Sequence, residues 1–229
     1  MDIFLEIEQY SKYFATEPNK AYFWHGRTTK GKKYEAKAMA EKMAKRKRGK
    51  TIEMCMFDNR TELEKLGFIE FYERKNKNGK VIYRQVITHT KIALEKLDIP
   101  EFDAKIDDYV RTKIENNPLY KNNIAIKEKH IEKLRKETYA MIDDELYKMI
   151  WDRFSKCFAN EASGYVYVVE GTDERVDEEG IEHNENDYPY SVWNRVEQPI
   201  LIKSIKKGKV NKIRRLNAVD GKEIPENED

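Results

Sequence analysis

The sequence predicts an α/β fold, with α+β as the alternative, in which a small, mostly parallel sheet lies against helices. Short apolar segments with strand composition alternate with longer helical periodicities, and long connections of the kind that parallel strands need separate them. Charged residues make up 38% of the 229 residues, but aromatic residues still make up 11%. Disordered chains are poor in aromatic residues, so a folded core is expected.

The N-terminal part of the chain predicts a helical region that contains one strand. Apolar residues at helical spacing indicate a helix over 3–14, and the AYFW segment over 21–24 indicates a short buried strand. An alanine- and methionine-rich helix is expected over 34–48 and ends at a glycine. A short apolar segment over 51–57 and a helical turn over 61–66 follow it.

The middle of the chain predicts a hairpin followed by charged helices. Residues 67–88 contain two alternating runs around an Asn-Gly pair, which is typical of a β-hairpin turn. Residues 104–142 predict helices interrupted at Pro118, and residues 143–160 predict an amphipathic helix.

Three further strands are predicted in the C-terminal part. The segments are YVYVVEG over 165–171, PILIKSI over 199–205 and VNKIRRLNAV over 210–219. Residues 220–229 are polar, and we expect a flexible tail there.

The formal net charge of +2 conceals two opposed charge clusters. Residues 27–50 contain eleven basic and two acidic residues, whereas residues 170–187 contain nine acidic residues and one basic residue. No apolar run reaches the ~20 residues of a membrane span, and the first residues do not resemble a signal peptide. The two cysteines indicate a reducing compartment. We therefore expect a cytoplasmic protein with no membrane partner.

Several classes of site are not predicted by the sequence. The four histidines and two cysteines lack zinc-ligand spacing, and the acidic loop over 173–187 lacks the EF-hand pattern. Phosphate-binding and dinucleotide-binding glycine motifs are also absent. We expect no metal and no bound cofactor.

The basic helix and hairpin over 34–97 also resemble a winged helix in their order. This gives an alternative function, a winged-helix DNA-binding regulator, in which basic residues contact phosphates. The near-neutral net charge and the acidic loop make nucleic acid an unlikely partner.

The three tryptophans all stand beside polar residues. Trp24 precedes His25-Gly26-Arg27, and Trp151 lies one helical turn before Ser155. Trp193 lies four residues before Glu197. A single Trp is usually a core residue, and a single Glu is usually on the surface. These residues indicate a functional site only when they are considered together, in this order along the chain.

Four blocks in this order resemble the ADP-ribosyl cyclase and NAD glycohydrolase family, and the bacterial polymorphic-toxin members of it most of all. The blocks are KAYFWHGRT over 20–28, TIE over 51–53, WDRFSKCFANEASGYVYVV over 151–169 and SVWNRVEQPIL over 191–201. His25 replaces the serine that is usual in the family's first tryptophan motif. The resemblance implies one two-lobed catalytic domain over 1–229 with a helical N-terminal lobe and a small sheet lobe. The implied family-like core covers 1–60 and 141–219, with an insertion over 61–140.

The resemblance also implies an activity and its residues. The enzyme would cleave the nicotinamide–ribose bond of NAD⁺ and release nicotinamide with ADP-ribose, cyclic ADP-ribose or both. The implied catalytic residues are Glu197, Glu53 and Trp151. The implied substrate-binding residues are Trp24, His25, Arg27, Ser155, Ser191 and Trp193. The resemblance implies a possible antibacterial toxin with a cognate immunity protein as partner, acting in its own cell or in a target-cell cytosol. An inactive NAD⁺-binding sensor is a third possibility.

Overall fold

A three-stranded parallel sheet forms the centre of the computed structural model. The strands are β1 (Tyr22–His25), β4 (Gly164–Glu170) and β7 (Val210–Asn217), in the order β1-β4-β7. The structure describes residues 3–25, 35–90, 92–93, 108, 110–114, 124–171, 175–176, 182–183 and 192–225. The predicted mixture of helices with a small parallel sheet is confirmed, and the sequence-based strand predictions for β1, β4 and β7 are correct.

Helices cover both faces of this sheet because its side chains alternate between two apolar clusters. Along β4, Val166 and Val168 belong to the larger cluster, whereas Tyr167 and Val169 belong to the smaller one. The smaller cluster is closed by α2 (Glu35–Lys47). The sheet therefore separates two packing layers, as an α/β arrangement requires.

The larger cluster packs against α5, one continuous helix from Ile124 to Glu161. Its C-terminal half is buried through Leu146, Ile150, Phe154 and Phe158, which recur at helical spacing. The predicted helix boundary near 142 is therefore wrong, since the periodicity continues through it. Pro118 lies outside the described residues.

Short helices complete the N-terminal part. They are α1 (Ile3–Gln9), a 3₁₀ turn (Ser11–Phe14), α3 (Ile52–Asp58), α4 (Arg60–Leu63) and a second 3₁₀ turn (Glu64–Leu66). The apolar segment predicted over 51–57 is thus largely helical. Thr51 begins it, because its hydroxyl accepts a hydrogen bond from the backbone N–H of Met54 at 3.4 Å.

The predicted hairpin is confirmed as β2 (Ile69–Lys75) and β3 (Val81–Thr88), paired antiparallel. It forms a separate two-stranded sheet, as do the short β5 (Arg175–Val176) and β6 (Glu182–His183). The apolar face of the basic helix α2 packs on β1 and β4 of the parallel sheet.

The strand predicted over 199–205 is wrong, because this segment forms α6 (Gln198–Lys206). Leu201 and Ser204 are buried three residues apart, whereas Ile202 is 43% exposed, so burial follows a helical period. Pro199 stands in the first turn, where a missing N–H costs nothing. After α6 and β7 the chain turns back, and the Ile224 N–H bonds the Arg215 carbonyl at 2.8 Å.

Gly164 starts β4 in the left-handed region, with φ +69°, directly against Asn19. A Cβ at this position would lie 2.5 Å from Asn19 Oδ1, an atom that accepts the Tyr165 N–H. Gly164→Ala is expected to lower the free energy of unfolding by about 3 kcal/mol, through backbone strain and overpacking together. Urea denaturation measures this change.

Gly208→Ala is the matched control, because Gly208 has φ +71° but no described atom within 4 Å of an added Cβ. It carries the backbone strain alone and is expected to cost about 1 kcal/mol. Equal losses for the two variants would contradict the packing described for Gly164.

Candidate functional site

The carboxyl ends of the parallel strands bring charged side chains together. His25 ends β1 and is in register with Glu170, which ends β4. His25 Nε2 lies 3.4 Å from Glu170 Oε1, and Arg215 of β7 donates two hydrogen bonds to Glu170 at 2.7 and 2.6 Å. Burial raises the pKa of Glu170, but the nearby His25 ring and the hydrogen bonds and charge of Arg215 outweigh it and hold the pKa below its usual value.

Trp193 links this edge to the segment that carries Glu197. Its indole is stacked on the His25 ring, with centroids 5.6 Å apart and planes 2° apart, and it also contacts Phe23 at 5.7 Å. Trp193 is only 4% exposed. It therefore anchors the segment in the core, and its predicted contact with ribose or phosphate stays a prediction.

Glu197 is the last residue of a π-helix that runs from Trp193 to Glu197. The N–H of Gln198 donates to the Trp193 carbonyl, a π-type bond between residues five apart. Pro199 follows and has no N–H for the carbonyl four residues before it, so the α-helical bond at that place cannot form. The wider turn thus ends at Glu197, and Pro199 lies in the first turn of the helix that follows.

The carboxyl group of Glu197 is buried, with the residue 5% exposed. Burial is the main cause that raises its pKa to about 8, and the neighbouring Glu53 and Asp152 raise it further. A hydrogen bond from Ser155 and the charge of Arg195 act in the opposite direction. The carboxyl is therefore mostly protonated at neutral pH.

Glu53 lies in the first turn of α3 and joins the site to α2. Its Oε1 forms an ion pair with Lys37 Nζ at 3.0 Å. The same ammonium lies 5.8 Å from the ring centroid of Trp24 on β1. Trp24 therefore contacts the smaller apolar cluster and a positive charge, on the sheet face opposite Phe23 and Trp193.

Trp151 is half-buried on α5, one turn before the buried Ser155. Its ring contacts Tyr147 and Phe154, with centroids 6.2 Å away in each case. Two of the candidate residues, Trp151 and Glu53, have a buried atom with no hydrogen-bond partner among the described residues, Trp151 Nε1 and Glu53 Oε2. One is a donor and the other an acceptor, and a bound ligand could satisfy both.

An ion pair that was not predicted from the sequence joins helix α5 to the π-helix. Arg195 Nε donates to Asp152 Oδ2 at 2.8 Å, and its Nη2 donates to Asp152 Oδ1 at 2.5 Å. Lys37, Glu170 and Arg215 were also missed. These residues are charged and lie at predicted strand ends or near the tryptophans. Many other charged residues of this chain do so too, and this position therefore does not select them.

The structure brings most of the predicted site residues into two connected groups. Glu197, Ser155 and Glu53 interact directly, with Trp151 on the same helix as Ser155. His25 and Trp193 form the second group, joined to the first by the π-helix. Trp24 is linked to the first group by Lys37, which lies against its ring and forms an ion pair with Glu53. Arg27 and Ser191 lie outside the described residues.

Neither a metal cluster nor a membrane-spanning helix occurs among the described residues. The described part of the chain has no group of three or more His, Cys, Asp or Glu side chains that could hold a metal ion. None of its helices has the length and apolarity to cross a membrane.

Comparison with known proteins gives no assignment. No protein-family model matches the chain, and neither does any curated protein or solved structure. The functional conclusion therefore depends on the residues and geometry above.

The raised pKa of Glu197 makes stability depend on pH in a defined direction. The native state keeps its proton up to about pH 8, whereas an unfolded Glu loses it near pH 4.3. The stabilisation is complete below the unfolded pKa and is lost as pH rises through the native pKa. Glu197→Gln is expected to raise Tm above that of the wild type at pH 8.5, and the difference should shrink toward pH 5.

Thermal unfolding followed by circular dichroism across this pH range measures the effect. Glu64→Gln, which changes an exposed Glu in a short helix, is the control and should give a pH-independent difference. A Glu197→Gln difference that stays constant between pH 5 and 8.5 would show that Glu197 is ionised throughout.

Proposed function

We propose that this protein cleaves the nicotinamide–ribose bond of NAD⁺, giving nicotinamide with ADP-ribose, cyclic ADP-ribose or both. One observation carries the proposal. The carboxyl of Glu197 is buried, accepts a hydrogen bond from Ser155 and has its pKa raised by the nearby Glu53. Trp151, whose indole N–H is unsatisfied, lies one turn before Ser155 on α5. The sequence resemblance independently selects the same residues for this reaction.

The proposed reaction needs one carboxylate beside the anomeric carbon. The carbon–nitrogen bond breaks, and its electron pair stays on the nitrogen, so cationic nicotinamide leaves as a neutral molecule. The ribosyl group becomes an oxocarbenium-like cation, which the Glu197 carboxylate stabilises electrostatically or by forming a bond. Water then adds and releases a proton to give ADP-ribose, or an adenine nitrogen adds to give the cyclic product.

The raised pKa of Glu197 connects substrate binding to this chemistry. The neutral carboxyl of the empty site cannot stabilise a cation. A bound nicotinamide cation lowers the pKa of a nearby carboxyl, since opposite charges favour its ionised form. The substrate would thus generate the carboxylate that attacks or stabilises its own ribosyl group.

The two half-buried indoles, Trp24 and Trp151, suit different parts of the substrate. Trp151 can stack on the cationic nicotinamide ring, and the Trp151 N–H and the free Glu53 oxygen can bond polar groups beside it. Lys37 lies against the Trp24 ring and would repel a second cation there. The Trp24 side therefore suits the anionic pyrophosphate, for which Arg27 remains a predicted partner.

The proposed fold is the ADP-ribosyl-cyclase-like arrangement of two lobes. The small parallel sheet, with the candidate residues at its carboxyl edge and on the helices beside it, supports this proposal. A cytosolic site of action, which the two cysteines favour, is part of the same proposal. A toxin role with an immunity protein as partner is also part of it and follows from the resemblance alone.

Nicotinamide release from NAD⁺, followed by chromatography, tests the activity. Glu197→Gln is expected to reduce kcat at least ~100-fold, because it removes the carboxylate that stabilises the developing cation. Ser155→Ala should reduce kcat less. Glu132→Gln, an exposed change at the far end of α5, is the control and should leave turnover intact.

Other outcomes would contradict the proposal. Full turnover by Glu197→Gln would remove Glu197 from the reaction. Tight NAD⁺ binding without products would indicate a sensor, and salt-dependent duplex binding without turnover would indicate the DNA-binding alternative.

The pH dependence of kcat/KM reports the ionisation of the free enzyme. Because Glu197 must lose its proton, kcat/KM is expected to rise with pH and level off above an apparent pKa near 8. A profile that is already flat from pH 5.5 upward would contradict a buried, protonated Glu197 as the reacting group.

A further inference from the structure

The Asp152–Arg195 pair joins the two segments that carry the candidate site. Arg195 presents two nitrogens to the two oxygens of Asp152, the fork arrangement that fixes both side chains in one relative orientation. Each side chain is 27% exposed. A half-buried, two-bond pair of this kind is more rigid than the single exposed pairs elsewhere on the same helix.

The position of the pair in the chain is informative. Asp152 follows Trp151 directly and lies three residues before Ser155 on α5. Arg195 lies midway between Trp193 and Glu197 on the π-helix. Each partner is therefore flanked by predicted site residues, although neither partner belongs to the predicted set.

We propose that Asp152 and Arg195 are positioning residues for Glu197, which fix the π-helix against α5 and place one negative and one positive charge beside that carboxyl. The role in catalysis depends on the proposed function, but the role in positioning does not. Without the pair, the π-helix would keep its core anchor at Trp193 and lose its fixed distance from Ser155.

The charged groups around Glu197 make the proposal testable. Asp152 and Ser155 face it from α5, and Glu53 faces it from α3 with Lys37 as partner. Arg195 faces Glu197 from the π-helix to which both belong. Trp193 of the same π-helix stacks on the His25 ring. Asp152 disfavours the carboxylate and Arg195 favours it, so removing one leaves the other charge unbalanced.

The test is a ¹³C NMR titration of the Glu197 side-chain carboxyl carbon in the full chain without substrate, with the signal assigned by its loss in Glu197→Gln. Asp152→Asn is expected to lower the Glu197 pKa by about one unit, and Arg195→Gln to raise it by about one unit. The matched control is Glu132→Gln, which breaks the exposed Glu132–Lys136 pair of α5 and should leave the titration unchanged.

Arg195→Lys separates geometry from charge, because lysine keeps the positive charge and cannot form the fork. Its Glu197 pKa should stay close to the wild-type value, while nicotinamide release should fall at least ~10-fold in kcat with little change in KM, as loss of orientation predicts. Thermal unfolding checks that each variant is folded, and the two arginine variants suffice if Asp152→Asn does not fold.

Two results would overturn the proposal. The first is an unchanged Glu197 pKa in both Asp152→Asn and Arg195→Gln. The second is a displacement in the same direction in both, since general loosening of the site would give that result. Because the titration uses no NAD⁺, opposite displacements without any NAD⁺ cleavage would support the positioning role and reject the proposed function alone.

Discussion

The site depends on the burial of one carboxyl group, that of Glu197, among three segments that are distant in the sequence. Helix α5 supplies Ser155, helix α3 supplies Glu53, and the π-helix supplies Glu197 itself. A buried carboxyl without partners costs several kcal/mol when it is charged, so it retains a proton instead. Burial therefore leaves Glu197 with a neutral carboxyl.

The rest of the fold holds α5, α3 and the π-helix next to one another. The parallel sheet places His25 and Glu170 at its carboxyl edge. The His25 ring stacks on Trp193, the first residue of the π-helix. The carboxyl edge of the sheet, where parallel sheets generally bind ligands, is therefore linked to Glu197 through the stacking of Trp193 on His25. The π-helix ends at the buried Glu197, and Pro199 lies in the first turn of α6 directly after it.

The sequence predicted the elements whose periodicity is local. The hairpin, the strands that became β1, β4 and β7, and the helix α2 all follow from patterns within about ten residues. The segment over 199–205 failed because a short apolar run fits both a strand and a buried helix, and the proline was taken as a strand start. The boundary inside α5 failed because its charged N-terminal half and apolar C-terminal half differ in composition but not in conformation.

The candidate site was predictable where aromatic residues and Glu197 fell into recognisable blocks. The ion pairs that orient the site were not, since 38% of the residues are charged and no local pattern selects Asp152 and Arg195 as partners. Their pairing depends on how the π-helix packs on α5, which is a tertiary property. The same holds for Lys37, which changes what the Trp24 ring can accept.

The central claim is that Glu197 is protonated in the empty site and is ionised by a cationic ligand. Proton release on binding measures this most directly, by isothermal titration calorimetry at pH 7 in buffers of different ionisation enthalpy. The ligand is an NAD⁺ analogue whose nicotinamide-bearing ribose has carbon in place of its ring oxygen, so that it is not cleaved. We expect release of close to one proton by the wild type and none by Glu197→Gln. Binding without proton release, or equal release by both proteins, would contradict it.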